Sequence, residues 1–410
     1  MSAKPLKKEM ALSNIRIIDF GTGAMDPLLT GYMADFGAEV IKVESYSHVD
    51  FGRRTDFFVG SKPDANMNVY TNRCNQNKYG VLLNLRHPKG VALAKRLVSI
   101  GDVVTENYTA GTMQRLGLSY EELKKVNPDV IMLSASFAGQ NGPYRDFRGQ
   151  GYIVSAFQGI NDLTGWPDRQ ADNPGTAFMD HYVPWLLIPV ILAALEFRDK
   201  TGKGQYIDFS DFEGCLDVLD TALVDYFVNG RTLSRRGNSH RAASPHGVYR
   251  CQGKDRWCAI AVFNDEEWLS FCKVIGNPAW TVEARFATSY GRVENADELD
   301  SLVEEWTQRQ RAEDVMLKLQ KAGVPASVAK NAQDIYEDPQ LAHRDHFWKP
   351  TDHSLGVFTF EAPSARLSKT PARLQKRFPL MGEHNDYVYQ ELLGISAEEY
   401  SQLVEEGAIS

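Results

Sequence analysis

The chain has 410 residues, of which 43% are hydrophobic and 24% charged, and its formal net charge is −8. That length accommodates two domains, or one large domain with an insertion, and the composition is that of an ordinary globular protein with enough apolar residues for a sizeable core. The acidic balance, with no basic tail or arginine-rich stripe, excludes general nucleic-acid binding and leaves only a local basic cluster for a small anionic ligand. Five cysteines (Cys74, Cys215, Cys251, Cys258 and Cys272) are scattered without CxxC spacing. Neither a zinc site nor a disulfide framework is indicated, and a reduced, cytoplasmic setting is expected. The N-terminal MSAKPLKKEMALSN has no apolar segment of the secretory kind.

The first third alternates between two patterns. Ile15–Phe20 reads as a strand, Asp26–Phe36 as a helix ending at Gly37, and Ala38–Glu44 as a second strand. YGVLLNL, DVVTEN and DVIMLSAS continue the strands, with HPKGVALAKRLVSIG and SYEELKKVNP as the helices between them. Strands separated by helices predict βαβ units and a parallel, Rossmann-like sheet. Val183–Leu195 is the longest apolar run, 13 residues holding Pro184 and Pro189. A membrane span needs roughly 20 residues, so this run reads as a buried helix and no membrane association is expected. TGKGQYIDFSDFEG then gives a turn and a strand, followed by helical text to Asn229. The polar stretch Arg231–Gly247 reads as a linker, and GVYRCQGKDRWCAIAVF as a β-hairpin turning at QGKD. The expected organisation is a large α/β domain over 1–229, a smaller α+β domain over 230–325, and a return segment, 326–410, that completes the large domain.

Several motifs are absent: there is no GxxxxGK[ST] phosphate loop, no HExxH and no GxSxG elbow, and the nine histidines lack metal-ligand spacing. GTGAMD (Gly21–Asp26) follows a strand and precedes a helix but lacks the third glycine of a dinucleotide fingerprint, so it reads as a tight turn. Asp180, just before the apolar run, has two readings. It caps the helix, where backbone N–H groups and the helix dipole favour the ionised form, with Pro184 in the first turn. Alternatively, it is a carboxylate nucleophile whose reactivity is raised by partial desolvation. The local residues do not choose between the two.

An ordered set of segments resembles the family III CoA-transferases. It runs IRIIDFGTG, DPLLTGYMADFGAEVIKVE, NQNKYGVLLNLRHPKG, LVSIGDVVTENYTAGTMQRLGLSYEELKKVNPDVIMLSASFAGQNGPY, EFRDKTGKGQYIDFSDFEG, EDPQLAHRDHF and PLMGEHNDYVYQELLG, and spans nearly the whole chain. In that family the nucleophile is an aspartate that follows a QAxxG-like element by about 20 residues and directly precedes a long apolar helix. Here Asp180 follows SAFQG (Ser155–Gly159) by 21 residues. The resemblance implies ping-pong transfer of CoA from an acyl-CoA donor such as succinyl-CoA to a carboxylic acid, through an aspartyl anhydride and an aspartyl-CoA thioester. Coenzyme A and its thioesters are then substrates, with no permanently bound cofactor and no metal. The residues matching the family's CoA site are Lys78, Asn107, Tyr108, Arg115 and Leu116, with Arg53 and Arg54 as further basic candidates.

The aromatic residues Phe157, Trp166, Phe178, Tyr182 and Trp185 suggest an aryl-substituted dicarboxylic acid such as benzylsuccinate as acceptor. Arg145, Arg148 or Arg241 would pair with its second carboxylate. The resemblance further implies an interlocked, ring-like dimer, either a homodimer or a heteromer with a paralogous subunit. Three features depart from the family pattern: GNSHRAASPHG stands where some members carry a glycine-rich flap, Pro184 stands four residues after Asp180 where relatives often show Gly, and Tyr152 is offset by two from a tyrosine found in some relatives. Two other functions are compatible with the same fold. An α-methylacyl-CoA racemase needs an acid–base pair, and RGQGY lacks its histidine. The other is a non-catalytic CoA-binding subunit of a hetero-oligomeric transferase.

Overall fold

The computed structural model describes residues 10–60, 64–350, 356 and 358–410. Six strands form one wholly parallel sheet in the order β3-β2-β1-β4-β5-β6: β1 Arg16–Asp19, β2 Glu39–Glu44, β3 Tyr79–Leu82, β4 Val103–Glu106, β5 Ile131–Ser136 and β6 Tyr206–Ser210. β2, β4 and β5 are buried along their whole length, as expected when helices cover both faces of a parallel sheet. Strand order reverses between β1 and β4, so a crevice opens there at the carboxyl ends of the strands. The Gly21–Asp26 segment turns at this point, with Gly23 in the left-handed region at φ 73°.

One face of the sheet carries the helices Met25–Asp35 and Phe178–Thr201. Met179, Val183, Leu187, Ile191 and Ala194 recur every three or four residues and pack on Ile17, Val40, Val103 and Ile131. The other face carries the helix Pro88–Val98 and residues of the C-terminal segment, including Val388, Tyr389, Leu403 and Ile409. That segment also covers β3, the edge strand. Asn385 Oδ1 accepts from Leu82 N at 2.9 Å, and Tyr389 donates to Leu82 O at 2.7 Å. An otherwise open row of backbone groups is closed in this way.

The chain divides into two units, the larger comprising 1–161, 173–232 and 342–410 and the smaller 162–172 and 233–341. Within the smaller, β7 (His246–Arg250), β8 (Trp257–Ala261) and β9 (Ala326–Val328) form an antiparallel sheet backed by Trp268, Phe271, Val303 and Val315. The expected boundary at 325 cuts this sheet. Ala326 and Val328 pair with Ile260 and Cys258, so the strand after that point belongs to the small unit. The segment 162–172 is held there as well, since Gly237 N donates to Gly165 O at 2.9 Å.

The long apolar helix begins at Phe178, so Pro184 is not in its first turn as expected but, like Pro189, inside the helix. Pro184 lacks the N–H that would bond the carbonyl of Asp180, four residues back. By length and composition this helix could cross a membrane. One side packs on the sheet, while Trp185, Val190, Leu192 and Phe197 on its other sides are exposed.

Candidate active site

A cavity of about 230 Å³ opens at the switch point. Its floor is Gly21 and Thr22 after β1, and its walls come from the ends of β2, β3 and β4: Ser45, the run Leu83–Arg86, and Tyr108, with Leu116 beyond. Asn107 fixes the floor, accepting from Thr22 N at 2.8 Å and donating to Thr22 O at 2.9 Å. Asp50 accepts from the N–H groups of Gly23 and Gly52, tying the following loop to the same turn. The shape is a cleft with backbone amides and apolar side chains on its walls, suited to a nucleotide-like group.

The expected CoA residues separate into three groups. Tyr108 and Leu116 line the cavity, and Asn107 braces it. Arg115 lies at its margin; its guanidinium bonds Thr112 Oγ1 at 2.7 Å and, with Arg145, flanks Gly111. Lys78 and Arg53 do not face the cavity. The Lys78 ammonium is fully buried and donates to Asp19 Oδ2, Pro27 O, Thr30 Oγ1 and Asn75 Oδ1, all within 2.9 Å. Arg53 is buried in a bidentate pair with Glu44 at 2.6 and 2.7 Å, while Arg54 next to it is exposed. The sequence reading passed over Arg86, which lines the cavity, is exposed, and has no carboxylate partner among the described residues. Its position at the carboxyl end of a strand was the available signal.

Beneath the floor lies a set of buried charges. Lys42 donates to Gly21 O and lies 3.5 Å from Asp19 and 3.8 Å from Asp50. Two lysines thus balance two aspartates, and the fifth group, Asp26, is the odd carboxyl. Burial, with the nearby charge of Asp19, pushes its pKa well above the carboxylate range. Gly21 has to be glycine, because a Cβ there would stand 1.9 Å from Asp26 Oδ2.

Asp180 is in a different environment. The helix N-cap is Ala177, which makes no side-chain bond, and Asp180 lies in the first turn without capping it. Its carboxylate accepts from the N–H of Gly151, the residue that opens the helix Tyr152–Gln158. Burial raises its pKa to about 6 and the Gly151 bond opposes the rise, so it is mainly ionised at neutral pH. Asp211, first in the helix Asp211–Gly214, is close enough to feel this charge. Its Oδ1 has no partner, and burial, followed by the Asp180 charge, pushes its pKa well above the carboxylate range. Nothing in SDFEG signalled this second carboxyl. Tyr70 connects the two regions, since its phenol is acted on by Asp180 and by Asp50, and Asp50 lines the cavity.

The aromatic residues expected around an acceptor do not form one wall. Phe157 packs with Phe137, Tyr144, Phe147 and Phe212; Phe178 stacks on Tyr182; and Trp185 lies 4.4 Å from Tyr32. Trp166 belongs to the small unit. Tyr152 is largely exposed.

Residues 12–385 match the profile of CoA-transferase family III. The chain belongs to that family. This CoA-transferase is 32% identical over 392 residues to the succinyl-CoA–D-citramalate CoA-transferase of Chloroflexus aurantiacus, covering 96% of each chain. It is 32% identical to the succinyl-CoA–L-malate CoA-transferase alpha subunit of the same organism, over 97% of this chain and 92% of that one. A crystal structure of a CAIB/BAIF family protein from Brucella suis superposes with a TM-score of 0.86 at 31% identity, covering 94% of this chain and all of the other. Its substrates are therefore an acyl-CoA and a carboxylic acid.

Proposed function

We propose that the enzyme moves CoA from succinyl-CoA to a short aliphatic dicarboxylic acid, with Asp180 as the acyl-accepting nucleophile. One observation carries this reading: Asp180 is a desolvated carboxylate with one backbone N–H partner, and its charge reaches Tyr70, which also feels the cavity residue Asp50. Asp180 attacks the thioester carbonyl, the C–S bond breaks, and the products are a mixed anhydride and CoA thiolate. The thiolate attacks the aspartyl carbonyl, the anhydride C–O bond breaks, and the donor leaves as its carboxylate. The aspartyl-CoA thioester then meets the acceptor carboxylate, and the steps run in reverse. Each step exchanges one activated acyl group for another.

The N–H of Gly151 serves twice. It holds the free carboxylate, and after acylation it donates to the aspartyl carbonyl oxygen where negative charge develops. Arg86 and Arg115 supply charge for the CoA phosphates, Tyr108 and Leu116 an apolar surface for the adenine or pantetheine. The donor and the aliphatic acceptor follow from the names of the two Chloroflexus relatives; the scattered aromatics give an aryl acid such as benzylsuccinate less support. The apolar surface of the helix Phe178–Thr201, together with Tyr226, Phe227 and Val228 of the helix Asp220–Asn229, fits a dimer or a heteromer with a paralogous chain.

The test is chemical trapping. The enzyme is incubated with succinyl-CoA, treated with hydroxylamine or borohydride, and digested for mass spectrometry. A modified Asp180 is expected, and unmodified Asp180 beside active turnover would overturn the assignment. A panel of aliphatic and aryl dicarboxylates, read as CoA esters, ranks the acceptors.

A further inference from the structure

A second cavity, also of about 230 Å³, lies by the first residues of β3, at the other end of that strand from the CoA cavity. It is formed where the C-terminal segment crosses the sheet edge, and Lys349, Lys376, Arg377, Glu383 and His384 supply its charged and polar groups. The backbone holding Lys376 is pinned, because Asn77, itself in the left-handed region at φ 64°, accepts from Gln375 N at 2.7 Å and Lys376 N at 3.0 Å.

The cations are unequally satisfied. Arg377 is bidentate to Glu383 at 2.6 and 2.9 Å. The Lys376 ammonium rests 3.1 Å from the centroid of the Tyr79 ring and forms no ion pair among the described residues. Glu39 acts on it only from a distance, being engaged by Arg16 and by the Tyr387 hydroxyl. Lys349 likewise has no ion pair among the described residues. His384 Nδ1 accepts from Gly80 N at 3.2 Å, which puts the proton of the neutral ring on Nε2, and burial lowers the pKa of the ring. Among the described residues, three cations and one carboxylate line this half-enclosed space, in a chain whose net charge is −8. Burial pushes the Lys376 pKa down to about 8, the cost of a desolvated cation without a counter-charge.

We propose that this cavity binds a small dianion, inorganic phosphate or a short dicarboxylate, through Lys349, Lys376 and His384 Nε2–H. The ligand completes the charge balance and fastens the C-terminal segment to the edge of the sheet. The proposal does not depend on the role of Asp180.

The test is calorimetric titration of the full-length chain held saturated with CoA, so that the phosphate subsites of the CoA cavity are filled. Phosphate is expected to bind one site per chain, and K376M to weaken it tenfold or more, as loss of a charge-assisted bond requires. K376R is expected to restore most of the affinity. Succinate is titrated in parallel: a second succinate site that disappears in K376M identifies a dicarboxylate ligand, and a response to phosphate alone identifies phosphate. If K376M is unstable through loss of the Tyr79 contact, K349M, which touches no ring, reads the same site. Absence of phosphate and succinate heat up to about 10 mM, or affinities equal in wild type, K376M and K349M, would overturn the proposal.

Discussion

Lys78 and Asp180 both drew attention as charged residues in a CoA-transferase pattern, yet their surroundings are opposite. Lys78 has four oxygen partners, one of them an aspartate at 2.9 Å, and it is wholly buried. Asp180 has one backbone N–H, no ion pair among the described residues, and a second carboxyl close enough to interact. A buried charge with every valence used is scaffold, because moving it costs all its partners at once. A buried charge left short of partners retains the reactivity that solvation would have quenched. The switch-point cavity lies between these conditions, with a rigid floor built on paired charges and a wall carrying the uncommitted Arg86.

Substituting the two residues in turn breaks the comparison most sharply. Asp180→Asn is expected to lower CoA transfer by at least about 10³-fold, as removal of a covalent nucleophile does, in an assay that follows acyl exchange between succinyl-CoA and acceptor. The fold is expected to survive and even gain, since a carboxylate whose pKa burial has raised to about 6 is a destabilising group at neutral pH. Melting temperature at pH 7 should therefore stay level or rise in D180N. Lys78→Met should behave in the reverse way. It leaves Asp19 buried without its 2.9 Å partner and one lysine, Lys42, to balance two aspartates, for a loss of about 3–5 kcal/mol in denaturant titrations. The pair Asp19→Asn with Lys78→Met should recover part of that loss. A K78M enzyme of wild-type stability with a raised KM for CoA would instead make Lys78 a ligand contact.

Much of this was legible in the chain. Periodicity placed β1 to β5 and their helices within a few residues, because short runs rich in Val, Ile and Leu, separated by helical segments, have few alternatives. The ordered motifs led to the family, and within it they point to Asp180 as the proposed nucleophile. The residues it misjudged share one cause. Lys78 and Arg53 read as phosphate ligands because a cation near a strand end looks the same whether it points into a cleft or into the core. Only the partners Asp19 and Glu44, 59 and 9 residues away in sequence, tell the two apart. Asp211 was missed because its significance lies in an absent bond, which no local pattern encodes. The boundary at 325 failed for a similar reason, since β9 is three residues long and is defined only by its pairing with β8.

The cavity wall gives a smaller effect. Arg86→Ala removes a cation with no structural duty, so stability should be unchanged while KM for the acyl-CoA rises about ten- to a hundredfold, the worth of a charge-assisted phosphate contact. Dephospho-CoA thioesters sharpen the reading. If the penalty of R86A vanishes with them, Arg86 meets the ribose phosphate; if it persists, it meets the pyrophosphate.

The smallest expected effect is on pH, and it distinguishes the two carboxyls. Asp180 has to be ionised to attack, and its pKa in the folded enzyme is about 6. kcat/KM should therefore be flat above neutrality and fall about tenfold per pH unit below 6, well above the pH at which an ordinary aspartate would lose its charge. Stability moves the other way. A carboxyl whose pKa is raised on folding holds its proton in the folded state while the unfolded chain has already lost it, so Asp180 weakens the fold as pH rises through the interval from about 4 to 6. Burial and the Asp180 charge hold the Asp211 pKa well above the carboxylate range, so Asp211→Asn should leave the acid limb where it is. If the limb moved to lower pH in D211N, Asp211 would be carrying charge near Asp180, and the two carboxyls would be sharing one proton rather than holding separate states.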